Sequence, residues 1–268
     1  MTGKRVAFLG PRNSFTHIAA EELFHGYELV PARSVTEVFN RVENYEADYG
    51  VVPLENSLEG PVGETLHNLA STMLSIYAGI EMKIGLVLAR SGDGAPKRLY
   101  THPHAYGEAY HSVNKLLGTY EYVPTSSTSK AAEEAARNGG YCICSQRAAS
   151  ENKLEVVNNN IGPENNYTRF IVLAWHDQPR NASRTMIVAA LPDQPGSLHY
   201  WLEPFATRNI NLKMIYSMPA PGKPWHYNFY VELEGTRLDK NVAESLKEVH
   251  QRSLFLRVLG SYPYHKKT

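Results

Sequence analysis

Cysteine is scarce in this chain of 268 residues: there are two, Cys142 and Cys144, separated by a single isoleucine. In a strand, two residues at that spacing point to the same face, and a disulfide between them has poor geometry. A metal site would need further Cys or His ligands at matching spacing, which the sequence lacks. We therefore predict two buried, reduced thiols in a strand, as is usual for a protein of the cytoplasm.

Long apolar runs and an excess of one charge are also missing. No run approaches the roughly 20 apolar residues of a membrane helix, and no signal-type segment follows Lys4-Arg5. Lys and Arg total 27, as do Asp and Glu, whereas nucleic-acid binders usually carry a basic surplus. We expect a soluble, cytoplasmic protein with neither a membrane nor a nucleic acid as partner.

Cofactor motifs are absent as well. Gly10-Pro11-Arg12 lacks the later glycines of a dinucleotide fingerprint, and no phosphate-binding loop of the Walker type occurs. His102 and His104 are spaced like metal ligands but have no third ligand placed by sequence. The sequence therefore predicts no metal and no cofactor.

What is present is an alternation of short apolar strands with amphipathic helices, typical of an α/β fold. One helix is predicted to begin after Ser34, with Glu37 completing a capping box and an apolar stripe of Val35, Val38, Phe39 and Val42. Residues 75–89 are predicted to form a long, nearly continuous strand segment, interrupted by Gly79 and Gly85. We predict a two-lobed N-terminal region over residues 1–178, with one lobe formed by about 1–78 plus 166–178 and another by about 79–165.

A break at residues 177–183 separates this region from a C-terminal part, 184–268. Its predicted order is β-α-β-β-α-β, which is the ferredoxin-like order. The last residues, 265–268, are predicted to fray.

Four polar clusters accompany the strands of this N-terminal region. Each has an ordinary explanation as a helix cap, a turn or a loop, but helix starts also bind anions and an arginine can hold a carboxylate. Three clusters follow strands and one leads into a strand, so together they indicate one anion-binding cleft. The clusters are Asn13-Ser14-Phe15-Thr16, Glu55-Asn56-Ser57, Ser126-Ser127-Thr128 and Asn165-Asn166-Tyr167-Thr168-Arg169-Phe170.

Taken in order, these motifs make the chain resemble the prephenate dehydratase family, and its C-terminal part resembles an ACT regulatory domain. The matching pieces are Gly10-Pro11, Ser14-Phe15-Thr16-His17, Val52 to Ser57, His102-Pro103, Ser127-Thr128, Asn166, Thr168-Arg169-Phe170, Pro195-Gly196-Ser197-Leu198 and Asn209 to Leu212. The resemblance implies a two-lobed catalytic region like the periplasmic binding proteins, with its active site in the cleft. The implied substrate is prephenate, which loses its ring carboxylate and hydroxyl without any cofactor.

The resemblance also implies roles for individual residues. Thr168 would act on the departing hydroxyl, Arg169 would hold a carboxylate, and Phe170 would shape the pocket beside the ring. Glu55 would orient Asn56 or contact the hydroxyl end of the substrate. The remaining implied substrate-binding residues are Ser14, Phe15, Thr16, Asn56, Ser57, His104, Ser127, Thr128 and Asn166, and the implied regulatory residues are Pro195, Gly196, Ser197, Leu198, Asn211 and Ser217.

Three departures from the family pattern leave alternatives open. His104 stands where Gln is usual, Asn13-Ser14 replaces Gly-Thr, and residues 216–219 read Tyr-Ser-Met-Pro instead of Glu-Ser-Arg-Pro. The last change leaves open whether L-phenylalanine, another amino acid or no effector binds. Alternative functions are arogenate dehydratase, prephenate decarboxylase and a non-catalytic sensor of amino acids or small anions. A homodimer or homotetramer is expected.

Overall fold

A computed structural model describes residues 3–94, 96–220, 222 and 226–267, which form three β-sheets with flanking helices. The first lobe contains β1 (Arg5–Leu9), α1 (Phe15–Leu23), β2 (Glu28–Ala32), α2 (Val35–Glu43), β3 (Tyr49–Asn56), β4 (Gly60–Pro61), α3 (Gly63–Ser71) and β5 (Ser75–Lys83). The second contains β6 (Val87–Arg90), β7 (Arg98–Thr101), α4 (Pro103–Leu117), β8 (Glu121–Pro124), α5 (Thr128–Asn138), β9 (Tyr141–Cys144), α6 (Gln146–Glu151) and β10 (Glu155–Asn158). The chain then returns to the first lobe in β11 (Tyr167–Ala174).

The C-terminal domain contains β12 (Arg184–Ala190), α7 (Ser197–Thr207), β13 (Leu212–Pro219), β14 (Tyr227–Glu234), α8 (Lys240–Gln251) and β15 (Phe255–Tyr262). Its sheet order is β13-β14-β12-β15, with every neighbouring pair antiparallel. This confirms the predicted ferredoxin-like order. One face of the sheet packs on α7 and α8 through Trp201, Phe205 and Val249.

The sheet of the first lobe also contains β16 (Tyr264–Lys267), which comes from the C-terminal end of the chain and runs parallel to β5. The strand order is β16-β5-β11-β3-β1-β2, with β4 paired to β3. The prediction that residues 265–267 fray is therefore wrong, because backbone pairing with β5 and an ion pair from Lys267 to Glu22 fix them. Thr268 lies outside the described residues.

The predicted long strand over residues 75–89 is also wrong. Strand β5 ends at Lys83 in the first sheet, and β6 begins at Val87 in the second sheet, whose order is β10-β6-β9-β7-β8. Residues 84–86 are thus one of the two connections between the lobes. The first lobe accordingly extends beyond residue 78.

Helix α2 shows how the local sequence sets an element. Ser34 caps it by accepting the N–H of Glu37 at 3.1 Å, as predicted. The Glu37 carboxylate accepts the N–H of Arg33 at 2.8 Å, one residue before the position of a standard capping box. The predicted apolar stripe is confirmed, since all four of its residues are buried.

The C-terminal domain shares a hydrophobic core with the first lobe. Met186, Val188 and Tyr230 of its sheet lie in one cluster with residues of α2 and α3. The Tyr230 hydroxyl also donates to the Leu66 carbonyl at 2.7 Å, and Arg257 donates to the carbonyls of Leu69 and Thr72 near the end of α3. This helix end is thereby satisfied by a cation from the other domain.

Cys142 and Cys144 are buried free thiols in β9, as predicted. Among the described residues, no helix is long and apolar enough to cross a membrane. Nor do three or more His, Cys, Asp or Glu side chains gather there in a way suited to a metal ion.

Candidate active site between the two lobes

Thr168 lies at the start of β11, where it pairs with Asn56 at the end of β3. The Asn56 side-chain nitrogen donates to the Thr168 hydroxyl oxygen at 3.0 Å and to the amide oxygen of Asn166 at 2.7 Å. Thr168 and Asn166 are both buried, at 9% and 1% exposure. Three predicted site residues therefore form one hydrogen-bonded group.

The direction of these hydrogen bonds is fixed by the backbone. The Asn56 amide oxygen accepts the N–H of Leu58 at 2.8 Å and the N–H of Glu59 at 3.1 Å. Because an amide oxygen can only accept, the Asn56 nitrogen must face Thr168 as a donor. The Thr168 oxygen is thus an acceptor from Asn56, and its own O–H remains available to donate. Within the part of the chain that the structure describes, no protein acceptor takes this hydrogen.

The second lobe contributes helix α4 to this group. Glu108 accepts from the Asn166 side-chain nitrogen at 2.9 Å, and His104 approaches Glu59 at 3.6 Å. Burial raises the pKa of Glu108, and the nearby Glu59 raises it further. Burial, and then the neighbouring His104, lower the pKa of His102 at the start of the same helix, so neutral imidazole is favoured there.

Other predicted residues lie at the start of one helix in each lobe. Ser14 caps α1, accepting the N–H of His17 at 3.2 Å, and Ser127 caps α5, accepting the N–H of Lys130 at 3.0 Å. Thr128 is the first residue of α5. Helix starts of this kind offer free backbone N–H groups to an anion.

The lobes meet close to the start of α1. The hydroxyl of Ser145, which caps α6, lies 3.5 Å from the Asn13 carbonyl, and Arg147 forms an ion pair with Glu21. Phe15 packs against hydrophobic clusters of both lobes, and Thr16 is buried beside it. Phe15 therefore spans the junction of the two lobes.

Arg169 does not face this junction. Neighbouring strand residues point to opposite faces, so Arg169 turns away from Thr168 toward the C-terminal domain. Its guanidinium bonds to Glu55 at 2.8 Å, to the Tyr264 hydroxyl at 3.0 Å and to the buried Glu232. Three of its five N–H donors are thus engaged on the other face of the sheet from Thr168, and the expected contact of Arg169 with a substrate carboxylate stays a prediction.

Glu55 is turned the same way. Besides Arg169 it accepts from the Tyr216 hydroxyl of the C-terminal domain at 2.8 Å. The sequence suggested that Glu55 orients Asn56 or contacts the substrate, and its bonds to Arg169 and Tyr216 support neither role. Burial lowers the pKa of Arg169, but Glu232, Tyr264 and Glu55 outweigh it and keep the guanidinium charged.

Phe170 lies in a hydrophobic core, and Ser57 bonds to a neighbouring loop. Phe170 is 2% exposed and belongs to the core cluster beneath α1. This buried position does not support the expectation that Phe170 shapes the pocket beside the substrate ring. The Ser57 hydroxyl donates to the Asn165 carbonyl at 3.0 Å and accepts the N–H of Tyr167 at 2.9 Å. Ser57 thereby joins the two loops that carry Asn56 and Asn166.

Glu108 was missed in the sequence, although a signal for it exists. It follows His104 by four residues in α4, and residues at that spacing share one face of a helix. Because His104 is a predicted site residue, Glu108 on the same face of the helix is a candidate site residue as well. Glu232 and Tyr264 carried no such signal, since they reach Arg169 only through tertiary packing.

Comparison with known proteins identifies the family. The family model described as prephenate dehydratase matches residues 6–178. The chain belongs to the prephenate dehydratase family. This confirms the resemblance inferred from the motifs.

Individual proteins that are similar to this chain support the same family assignment. The bifunctional chorismate mutase/prephenate dehydratase of Aquifex aeolicus is 37% identical over 267 residues, covering 97% of this chain and 73% of that protein. The prephenate dehydratase of Mycolicibacterium smegmatis is 31% identical, with 97% and 90% covered. A crystal structure of prephenate dehydratase from Arthrobacter aurescens in complex with L-Phe matches with a TM-score of 0.86 and 34% identity, over 97% and 90% of the two chains.

Proposed function

We propose that this chain is a carbon–oxygen lyase that converts prephenate to phenylpyruvate, carbon dioxide and water. The observation that supports it most is the Thr168 hydroxyl, whose oxygen accepts from Asn56 and whose hydrogen is thereby directed elsewhere. A hydroxyl held in this way can donate to a departing hydroxyl group. The residues predicted around it, Asn56 and Asn166, hold it in place.

The reaction makes modest demands on the protein. The bond from the ring to its carboxylate breaks, the released electron pair enters the ring, and the ring hydroxyl leaves as water after taking up a proton. Because the ring becomes aromatic, no cofactor is required. Positioned proton donation typically contributes about 10²–10⁴-fold to such a step.

Because Arg169 bonds to Glu55, Tyr264 and Glu232, further donors are needed to bind a dianion. The starts of α1 and α5, at Ser14 and Thr128, offer backbone N–H groups, and we propose that they receive the substrate carboxylates. His104 lies at the start of α4 on the same side as Glu108 and is proposed to contact the substrate. Phe15 and Thr16, the first two residues of α1, are proposed to form one wall of the substrate site.

The test is incubation of the purified protein with prephenate and, separately, with arogenate, followed by chromatography of the products. Phenylpyruvate from prephenate supports the proposal, whereas phenylalanine formed mainly from arogenate favours an arogenate dehydratase. Release of carbon dioxide without an aromatic product would indicate a decarboxylase. Ligand binding without any turnover would indicate a sensor.

An amino-acid effector is proposed for the C-terminal domain. The Arthrobacter protein was solved with L-Phe. Here a cavity of about 450 Å³ is lined by residues that include Ser197, Leu198 and Asn228. Ser197 and Leu198 directly follow Pro195 and Gly196 in the sequence. Neither Asn211 nor Ser217 lines that cavity, and Ser217 is exposed on β13. Titration with L-phenylalanine, followed by calorimetry and by activity, tests this proposal.

Assembly as a dimer or tetramer is also a proposal. Among the described residues β13 is an edge strand of its sheet, paired with β14 alone, and Ile215 on it is exposed. Such an edge can pair with a second copy. Light scattering at several concentrations measures the mass, and cell fractionation tests the predicted cytoplasmic location.

A further inference from the structure

Glu108 connects the second lobe to the Thr168 group. It is the single carboxylate of α4, and it accepts from the Asn166 side chain across the junction of the lobes at 2.9 Å. Asn166 in turn accepts from Asn56, which donates to Thr168. A chain of three hydrogen bonds therefore runs from α4 to the hydroxyl.

The acceptor oxygen of Glu108 favours one orientation of Asn166. The Glu108 carboxyl oxygen accepts from the Asn166 nitrogen, and the Asn166 oxygen then faces the Asn56 nitrogen. A reversed amide would place oxygen against the carboxylate and nitrogen against the Asn56 nitrogen. Because Asn166 is 1% exposed, water has little access to replace a lost partner.

We propose that Glu108 is a positioning residue, which holds Asn166 with its oxygen toward Asn56 and so, together with the backbone N–H groups of Leu58 and Glu59, keeps Asn56 donating to the Thr168 hydroxyl. This inference rests on the function proposed above. Glu108 is not assigned any contact with the substrate. Since it comes from the second lobe, the link also makes the orientation of Thr168 depend on how the two lobes sit together.

The acceptor atom of Glu108, rather than its charge, is what this chain of bonds uses. Burial and the nearby Glu59 raise the pKa of Glu108, so the position disfavours the charged form. A glutamine there can present the same acceptor without a charge, whereas a methionine of similar length cannot. This difference separates positioning from simple packing.

The experiment compares Glu108→Gln and Glu108→Met, with Glu133→Met on the exposed face of α5 as a matched control. We expect kcat of the methionine variant to fall about tenfold with little change in KM, because a buried donor loses its acceptor. The glutamine variant should keep kcat within about twofold of the parent, as should the control. Equal kcat values for the two Glu108 variants would overturn the proposal.

A second readout separates this inference from the proposed function. If the parent protein makes no phenylpyruvate, the function fails, and the side-chain amide signals of Asn166 in NMR then judge the positioning role. The proposal expects faster hydrogen exchange of these protons in Glu108→Met and parent-like exchange in Glu108→Gln. Unchanged exchange in the methionine variant would contradict it.

Discussion

Thr168 and Arg169 are consecutive residues of β11 whose side chains serve opposite faces of one sheet. The Thr168 oxygen accepts from Asn56 at the junction of the lobes, whereas Arg169 bonds to Glu55, Tyr264 and Glu232 on the side of the C-terminal domain. The residue proposed for chemistry is therefore one peptide bond away from the residue that anchors the other domain. Changes at these two positions should have different consequences.

Asn56→Asp should impair turnover, and it should also lower stability because the buried Asn166 oxygen loses its donor. The new carboxylate can still accept the N–H groups of Leu58 and Glu59, but it cannot donate to Thr168. The Thr168 hydroxyl would then donate its hydrogen to the new carboxylate. This hydrogen would therefore no longer face the substrate. We expect kcat to fall about 10²-fold, measured by phenylpyruvate formation. Parent-like kcat would show that the orientation set by Asn56 is unimportant.

Glu232→Gln should destabilise the protein. Glu232 is fully buried and pairs with Arg169, and removing one partner of a buried pair typically costs about 3–5 kcal/mol. The matched control is Glu234→Gln on the same strand, where the carboxylate is 46% exposed and pairs with Lys213. That change should cost less than about 1 kcal/mol in denaturant unfolding. Similar losses in the two variants would contradict the assigned role of Glu232.

The stability of Glu108→Gln relative to the parent should depend on pH. Burial and Glu59 raise the pKa of Glu108 above its ordinary 4.5. An acid whose pKa is raised by folding contributes stability that is complete below the pKa of the unfolded state. This stability is lost as pH rises through the pKa of the folded state. Glutamine does not titrate, so the parent should lose unfolding free energy relative to the variant as pH rises above 4.5. Unfolding by urea across this range measures the difference, and a relative gain by the parent would contradict it.

The fold could largely be predicted because its signals are local. The stripe after Ser34 and the strand–helix order of the C-terminal domain depend on periodicity and turn residues, which the sequence displays directly. The strand division near Lys83 and the pairing of Tyr264 to Lys267 were not predictable in this way. They are decided by which sheet offers a free edge, and that is a property of the assembled fold.

The site was predicted in part for a similar reason. Thr168, Asn56 and Asn166 were grouped correctly by their motifs, and the structure brings them together. Glu55 and Arg169 belong to the same motifs but face the other domain, because neighbouring strand residues alternate between faces. A motif shows which residues occur together in sequence, and the sheet decides which of them share a surface.

The most direct test of the account is kcat of Thr168→Ala with prephenate, measured beside Thr168→Ser. Alanine removes the hydroxyl and should lower kcat about 10²–10⁴-fold, with the unfolding midpoint close to that of the parent. Serine keeps a hydroxyl that Asn56 can orient and should retain much of the activity. If the alanine variant turns prephenate over at the parent rate, the role assigned to Thr168 is wrong.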